Sequence, residues 1–400
     1  MPHQLPDLAL TLAIGIVQIL GLRMVLDGPT RSASPRIRQL LKFGAGTYLA
    51  LLILCHVAIW GAENWLPRFL TGWARAIVLI WGVLSLFWIV LYKLTKLLPT
   101  APSPGRRRFL VAARTVLFGA PAIAAGYGVF IQRFRLTLRE QKISVPNLPQ
   151  ELEGFKMVQV TDIHLSPFLS EKELAQAIGL ANETKAHLAL VTGDLISARH
   201  DPLDECLRHV AGLRADLGIY GCMGNHERYA ETEDYTESQG AKLGVRFLRN
   251  SRVKLDFRGA SLSLAGVDYQ RSSKPYLVGT EKLVDPAAFN VLLSHNPDVF
   301  SIAARKGFPL TIAGHTHGGQ VRIEILQQDL NAARFFTPYV DGLYQENGSS
   351  IFVSRGIGTI GVPARLGAPP EVALLTLTAH TAAGRNDLTS SAGASRAMRS

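Results

Sequence analysis

Residues able to offer a lone pair to a metal ion recur in five short clusters: Asp162-Ile163-His164, Gly193-Asp194, Gly224-Asn225-His226-Glu227, Ser294-His295-Asn296 and Gly314-His315-Thr316-His317. Imidazole nitrogen combined with carboxylate and amide oxygen suits borderline divalent ions such as Zn, Mn and Fe, and no cysteine stands in the clusters, which argues against a structural zinc cage. One ion needs three or four protein ligands. Asp162, His164, Asp194, Asn225, His295, His315 and His317 exceed that need, which favours two divalent ions sharing a bridging carboxylate. In Asp162-Ile163-His164 the alternation of a strand end turns both ligands to one side, and His315 and His317 share a side but can reach neighbouring ions. Five of the eleven histidines fall in these clusters.

The elements that must position these clusters read as an α/β domain, because short apolar runs alternate with amphipathic helices after Pro146-Asn147-Leu148-Pro149. Strands are expected at Lys156–Thr161, Leu188–Thr192, Gly218–Met223, Ser261–Val267, Asn290–Ser294, Leu310–Ala313, Ser350–Ser354 and Glu371–Thr376. Each cluster then stands at the carboxyl end of a strand, where open α/β sheets place their ligand sites. Ser170 with Glu173 makes a capping box ahead of one helix, and Asp201-Pro202 is expected to cap a second. Glycines before Asp194, Asn225 and His315 let the backbone bend without a Cβ clash.

The ordered set Asp-x-His, Gly-Asp, Gly-Asn-His-Glu, His, Gly-His-x-His resembles the calcineurin-like metallophosphoesterases, over roughly Gly154 to Leu377. Gly154 to His164, Tyr339 to Tyr344 and Ser354 to Gly358 look most like the membrane-associated bacterial branch of that family. The resemblance implies a four-layer αββα sandwich of two mixed sheets. It implies Asp162, His164, Asp194 and His317 around one ion, and Asp194, Asn225, His295 and His315 around the other, with Asp194 bridging. His226 matches the family's catalytic histidine, and Glu227 would lie behind it. Ser197 stands where many relatives carry an acidic residue, a departure expected to touch local packing alone.

The activity so implied is hydrolysis of a phosphodiester or lipid-linked phosphate by metal-bound hydroxide, with His226 offering a proton to the leaving alkoxide. Metal is the only cofactor expected. Within the enzyme class the alternative is a UDP-2,3-diacylglucosamine-type pyrophosphatase of lipid A synthesis. From other classes come a catalytically silent membrane metal-binding or sensory module, which an intact His226 disfavours, and a transporter regulated by the esterase domain. Arg355, Gly356, Gly358 and Arg365 are read first as loop-closing residues and only second as phosphate contacts.

The first third of the chain is different in kind. Residues 1–142 hold 17 basic and 4 acidic residues, whereas residues 143–400 hold 25 and 27, so the net charge of +11 gives no general basic surface and no nucleic-acid partner is expected. Four apolar runs, Leu8–Leu26, Phe43–Trp60, Ala74–Tyr92 and Phe109–Ile131, approach the ~20 residues a helix needs to cross a bilayer, and predict four transmembrane helices. Polar residues in these runs are few, Gln18, Arg23, Thr47 and His56 being the notable ones, so the region reads as an anchor among membrane lipids. Basic residues in the first and third loops place those loops in the cytoplasm and the chain after the fourth run on the periplasmic or extracellular side of the inner membrane. Arg133, Arg135, Arg139 and Lys142 run against that orientation. Gly105-Arg106-Arg107-Arg108-Phe109-Leu110 resembles a twin-arginine export signal, which makes that export machinery an expected partner, and Ala120-Pro121-Ala122 would suit a signal peptidase. The expected domains are thus 1–142 in the membrane, 143–379 for the esterase and 380–400 as a disordered tail. Cys206 and Cys222 are expected as buried thiols.

Overall fold

A computed structural model of the chain describes residues 4–27, 34–40, 42–44, 46–48, 66–96, 103–271, 275–325 and 328–379. They divide into two units: the residues up to Gln132 with Ile360–Leu366, and those of Arg133–Thr359 with the chain from Gly367 on.

The first unit contains helices α1 (Gln4–Asp27), α2 (Arg68–Lys96) and α3 (Pro104–Phe130). Apolar side chains dominate them, and a few polar groups pair within the unit: Gln18 Oε1 accepts from the Tyr48 hydroxyl at 3.0 Å and from Trp81 Nε1 at 3.1 Å. Trp88 Nε1 donates to the Phe118 carbonyl at 2.9 Å, tying α2 to α3. Ser103 caps α3 and Pro104 opens it, so the arginine motif forms its first turns.

Two helices among the described residues, Arg68–Lys96 and Pro104–Phe134, are long and apolar enough to cross a membrane. The expectation of four transmembrane helices is not supported. The first run lies within α1, where Leu12–Met24 is a shorter apolar helical stretch among the described residues. Most of the second run, with Cys55 and His56, lies outside the described residues, as does the expected tail 380–400.

Among its described residues the second unit has fourteen strands. They are β1 (Thr137–Val145), β2 (Lys156–Val160), β3 (Leu188–Val191), β4 (Ile219–Gly221), β5 (Val245–Phe247), β6 (Ser251–Phe257), β7 (Ala260–Gly266), β8 (Phe289–Leu293), β9 (Leu310–Ala313), β10 (Arg322–Ile325), β11 (Gln328–Asn331), β12 (Gly342–Glu346), β13 (Ser349–Val353) and β14 (Glu371–Ala379). Two six-stranded mixed sheets run β1-β14-β2-β3-β4-β5 and β12-β13-β9-β8-β7-β6, and β10-β11 is a separate hairpin. Met157, Leu188, Leu190 and Leu375 of the first sheet pack with Leu264, Val291, Leu310 and Phe352 of the second in one dry cluster. Helices α4 (Glu171–Glu183) and α5 (Leu203–Val210) cover the outer face of the first sheet through Leu174, Ile178, Leu207 and Val210. Phe300 and Ala303 of the short helix Phe300–Arg305 cover the second. Helix, sheet, sheet and helix make the four layers that the resemblance implied.

All eight expected strands form, with ends displaced by a few residues at most. The boundary expected after residue 142 falls after Gln132, because Thr137–Val145 is a strand pairing in parallel with β14. Its charged residues hid it: Arg139 faces Asp341 at 3.4 Å and Glu371 at 3.6 Å, so it belongs to the esterase unit and not to a membrane flank. Edge strand β6 was hidden the same way, since its exposed positions carry Arg252, Lys254 and Asp256. Asp201 does not cap α5. Pro202 occupies that position without a side-chain cap, and Asp201 Oδ2 accepts instead from the amides of Ser197 and Ala198. Cys206 and Cys222 are buried free thiols.

The Ser170–Glu173 box forms in full, with Ser170 Oγ accepting from Glu173 N at 3.3 Å and Glu173 Oε2 accepting from Ser170 N at 2.8 Å. Ser170→Ala should therefore cost about 1 kcal/mol. In thermal unfolding this is expected as a fall of about 2–4 °C in the midpoint of the esterase unit.

Candidate metal centre

Parallel strands β2, β3 and β4 of one sheet and β8 and β9 of the other end on the same side, and the five clusters follow them directly. Asp162, His164, Asp194, His315 and His317 all have positive φ, between 48° and 79°. Left-handed backbone is costly for residues with a Cβ, and here it turns each side chain off its strand toward a common point. Gly224 has no Cβ because the Asp194 carboxylate occupies that space, and Gly356 is equally constrained against Asp162.

Asp194 stands at the centre. Its Oδ1 accepts from the His226 amide at 2.9 Å, which leaves Oδ2 facing His164 Nε2 at 3.4 Å and His295 Nε2 at 3.1 Å. His164 Nε2 also lies 3.1 Å from His317 Nε2, which lies 3.4 Å from Asp162 Oδ1. Asp194, His295 and His315 form a second group whose ligand atoms lie within 4.8 Å of one another. Asp162, His164, Asp194, Asn225, His295 and His317 are buried, while His315 and His226 are half-buried and open the centre to solvent.

The atoms brought together are acceptors facing acceptors. His295 Nδ1 donates to the Thr192 carbonyl at 2.6 Å, so its neutral form aims a bare Nε2 lone pair at Asp194, and Nε2 makes no hydrogen bond. Asn225 Oδ1 is likewise buried without a hydrogen-bond partner. Spacings of 3.1–3.4 Å match the edges of a coordination polyhedron with ~2.1 Å bonds, which run ~3.0 Å in an octahedron and ~3.4 Å in a tetrahedron. These residues fit a divalent cation.

Without a cation the charges settle unevenly. Burial opposes charge on both partners, yet the histidines hold Asp194 well below the usual carboxylate range, and the Asp194 and Asp162 carboxylates push His295 up to about 10. Burial and the His295 charge push His315 down to about 3. Burial, with Asp194 adding to it, raises Asp162 and Glu227. Burial lowers His226 against the pull of Asp194.

A surrounding set of groups holds this geometry. Glu227 is fully buried and accepts from the amides of Asp194, Leu195 and Gly224 at 2.7–2.9 Å, so it ties the β3 turn to the β4 turn. Thr161 Oγ1 donates to Asp162 Oδ2 at 2.8 Å. Ser197 does more than fill space: its Oγ lies 3.1 Å from His164 Nδ1, and its carbonyl accepts from His226 Nδ1 at 2.7 Å. The expectation that its departure touches packing alone is thus corrected, since it orients two histidines. Its place three residues after Asp194, inside the turn, was the available signal. Tyr269 was also missed, and its ring lies 5.6 Å from that of His315 and 6.1 Å from that of His295. Arg355 is engaged by Glu371, with Nε donating at 2.6 Å, and Gly358 N donates to the Asp162 carbonyl at 2.7 Å. Arg365 is fully buried. Arg355 and Gly358 back the site and close its loops, whereas Arg365 belongs to the other unit.

The family model described as calcineurin-like phosphoesterase matches residues 155–319, the span that holds every cluster. An uncharacterized metallophosphoesterase of Aquifex aeolicus is 30% identical over 268 residues, 64% of this chain and 97% of that protein. The chain belongs to the calcineurin-like phosphoesterase family. As a member it is a metal-dependent phosphoesterase, a hydrolase of ester bonds. Another uncharacterized metallophosphoesterase, YkuE of Bacillus subtilis, is 29% identical over 68% of this chain and 97% of its own length. A Bos taurus relative, 29% identical over 60% of this chain and 56% of its own length, is named a transmembrane protein with metallophosphoesterase domain.

Removing a hydrogen-bond partner of a ligating histidine commonly weakens metal binding ~10–100-fold. Ser197→Ala is accordingly expected to weaken Mn or Zn binding by about tenfold in a competition titration. An unchanged affinity would remove Ser197 from that role.

Proposed function

We propose that the chain is a membrane-anchored phosphoesterase with two divalent cations, Mn, Zn or Fe, acting on a phosphodiester or lipid-linked phosphate. Asp162, His164, Asp194 and His317 would hold one cation, and Asp194, Asn225, His295 and His315 the other. The observation that carries this reading is a single atom: Asp194 Oδ2 faces both His164 Nε2 and His295 Nε2, the two groups' nearest members. Bound there, the cations would activate water at neutral pH and neutralise phosphate oxygens as charge builds.

The chain's own groups do the rest. The backbone amide of His226 fixes Asp194 Oδ1, so the carboxylate cannot swing away from the shared position. His226 gives its Nδ1 proton to the Ser197 carbonyl, which leaves Nε2 as the atom that carries a proton to the departing alkoxide. General-acid help of this kind is worth ~10²–10⁴-fold. Anchoring is supported by the two apolar helices of crossing length and by the relative named as a transmembrane protein. Placement of the esterase unit outside the cytoplasmic membrane is supported by Lys93, Lys96 and Arg106 to Arg108 between α2 and α3, whether α3 is inserted or read by the twin-arginine machinery.

Metal analysis of the purified chain should give near two ions, and Asp194→Ala should lose both while Asn225→Ala retains partial activity. A ratio of one in metal-replete buffer, unchanged by His295→Ala, would sink the dinuclear assignment. His226→Asn should keep its metal and slow an alkyl phosphodiester far more than a nitrophenyl ester, whose leaving group needs no proton. Equal slowing of both would make His226 a positioning group. Protease added to cells with an opened outer barrier should cut beyond Gln141, and protection until lysis would reverse the topology.

A further inference from the structure

We propose that the turn Ala332–Phe335, with Phe336, is a lip that dips into the bilayer beside the metal centre and admits phosphoesters that stay anchored in the membrane. This inference rests on the phosphoesterase reading above. Phe335 and Phe336 are 90% and 85% exposed, two adjacent aromatic rings left almost wholly in water. Leu330 and Val321 of the adjoining hairpin region add exposed apolar surface, and Arg334 stands exposed in the same turn. Contiguous exposed apolar groups mark interaction sites, and Phe and Leu with a neighbouring Arg suit the boundary between acyl chains and anionic headgroups.

The turn is built as a rigid display. Asn331 Oδ1 accepts from Ala333 N at 3.0 Å and caps it, while Asn331 Nδ2 donates to the Gly318 carbonyl at 3.0 Å. Thr337 Oγ1 closes the other end by donating to Asp298 Oδ1 at 2.6 Å. Gly318 directly follows His317, and Asp298 lies three residues after His295. Both ends of the aromatic turn are thus fastened to the loops that carry two of the proposed ligands. A bilayer is the occupant favoured because the same chain carries helices of membrane-crossing length.

The test uses the full chain in phosphatidylethanolamine and phosphatidylglycerol vesicles containing a trace of lipid with a photoreactive diazirine on its acyl chain. Irradiation should label the peptide 328–340 as well as α2. The double variant Phe335→Ser, Phe336→Ser should lose about tenfold of the 328–340 label with α2 unchanged, whereas Phe335→Trp, Phe336→Trp should retain it. In the same vesicles the Ser variant should slow a bilayer-resident phosphodiester by about tenfold and leave a soluble nitrophenyl phosphodiester unchanged. Absence of label from 328–340 in the wild type, cross-linking of that peptide to a second copy of the chain, or equal turnover of the lipid ester by wild type and the Ser variant would overturn the lip. If the wild type turned over neither ester, the phosphoesterase reading would fail, and the photolabel would still decide the lip.

Discussion

Asp194 is a buried carboxylate with its two oxygens assigned to different tasks, and the geometry of the site follows from that division. Oδ1 is spent on the His226 amide, so Oδ2 alone is presented to both histidine groups. Holding an anion where water cannot reach it is costly unless compensating charge is supplied. Around Asp194 that compensation comes from imidazoles, which is why His295 is pushed so far up, while burial and the His295 charge push His315 down. A cation would replace this strained division with one that satisfies every facing lone pair.

The second constraint is conformational. Five of the seven proposed ligands sit at positive φ, where an L residue gains nothing locally. Such strain of about 1–3 kcal/mol per residue persists only where surrounding bonds over-determine it. Glu227 supplies three of those bonds in the β3 and β4 turns, and the amide of His315 bonded to Asp162 Oδ1 at 2.9 Å supplies another between sheets. Glycine at positions 224 and 356 makes the close approach possible.

The strand ends and their clusters were legible because burial on both faces leaves continuous apolar runs, such as Leu188–Val191, that stop abruptly at polar residues. The capping box of α4 was legible for a similar reason, since Ser170 and Glu173 act within one turn. What escaped depends on partners distant in sequence. β1 reads as a basic flank until Glu371 and Asp341 are placed beside Arg139. Asp201 reads as a cap until the amides of Ser197 and Ala198 claim it. The roles of Ser197 use a main-chain oxygen as well as its hydroxyl, and a sequence shows only side chains. Of the four apolar runs, the last two coincide with described helices long and apolar enough to cross a membrane.

The proposed ligands are drawn from two separate sheets: Asp162, His164, Asp194 and Asn225 follow strands of one, and His295, His315 and His317 follow strands of the other. The dry interface between the sheets is otherwise held by side-chain packing and by a few polar ties such as Gln159 Nε2 on the Ala313 carbonyl at 2.9 Å. An ion bound to both sides would act as a rivet across the sandwich, contributing about 2.7 kcal/mol of resistance to unfolding when its free concentration is 100 times its dissociation constant. Fold maintenance and ester hydrolysis would then draw on the same ions, so that metal starvation would loosen the protein as well as silence it.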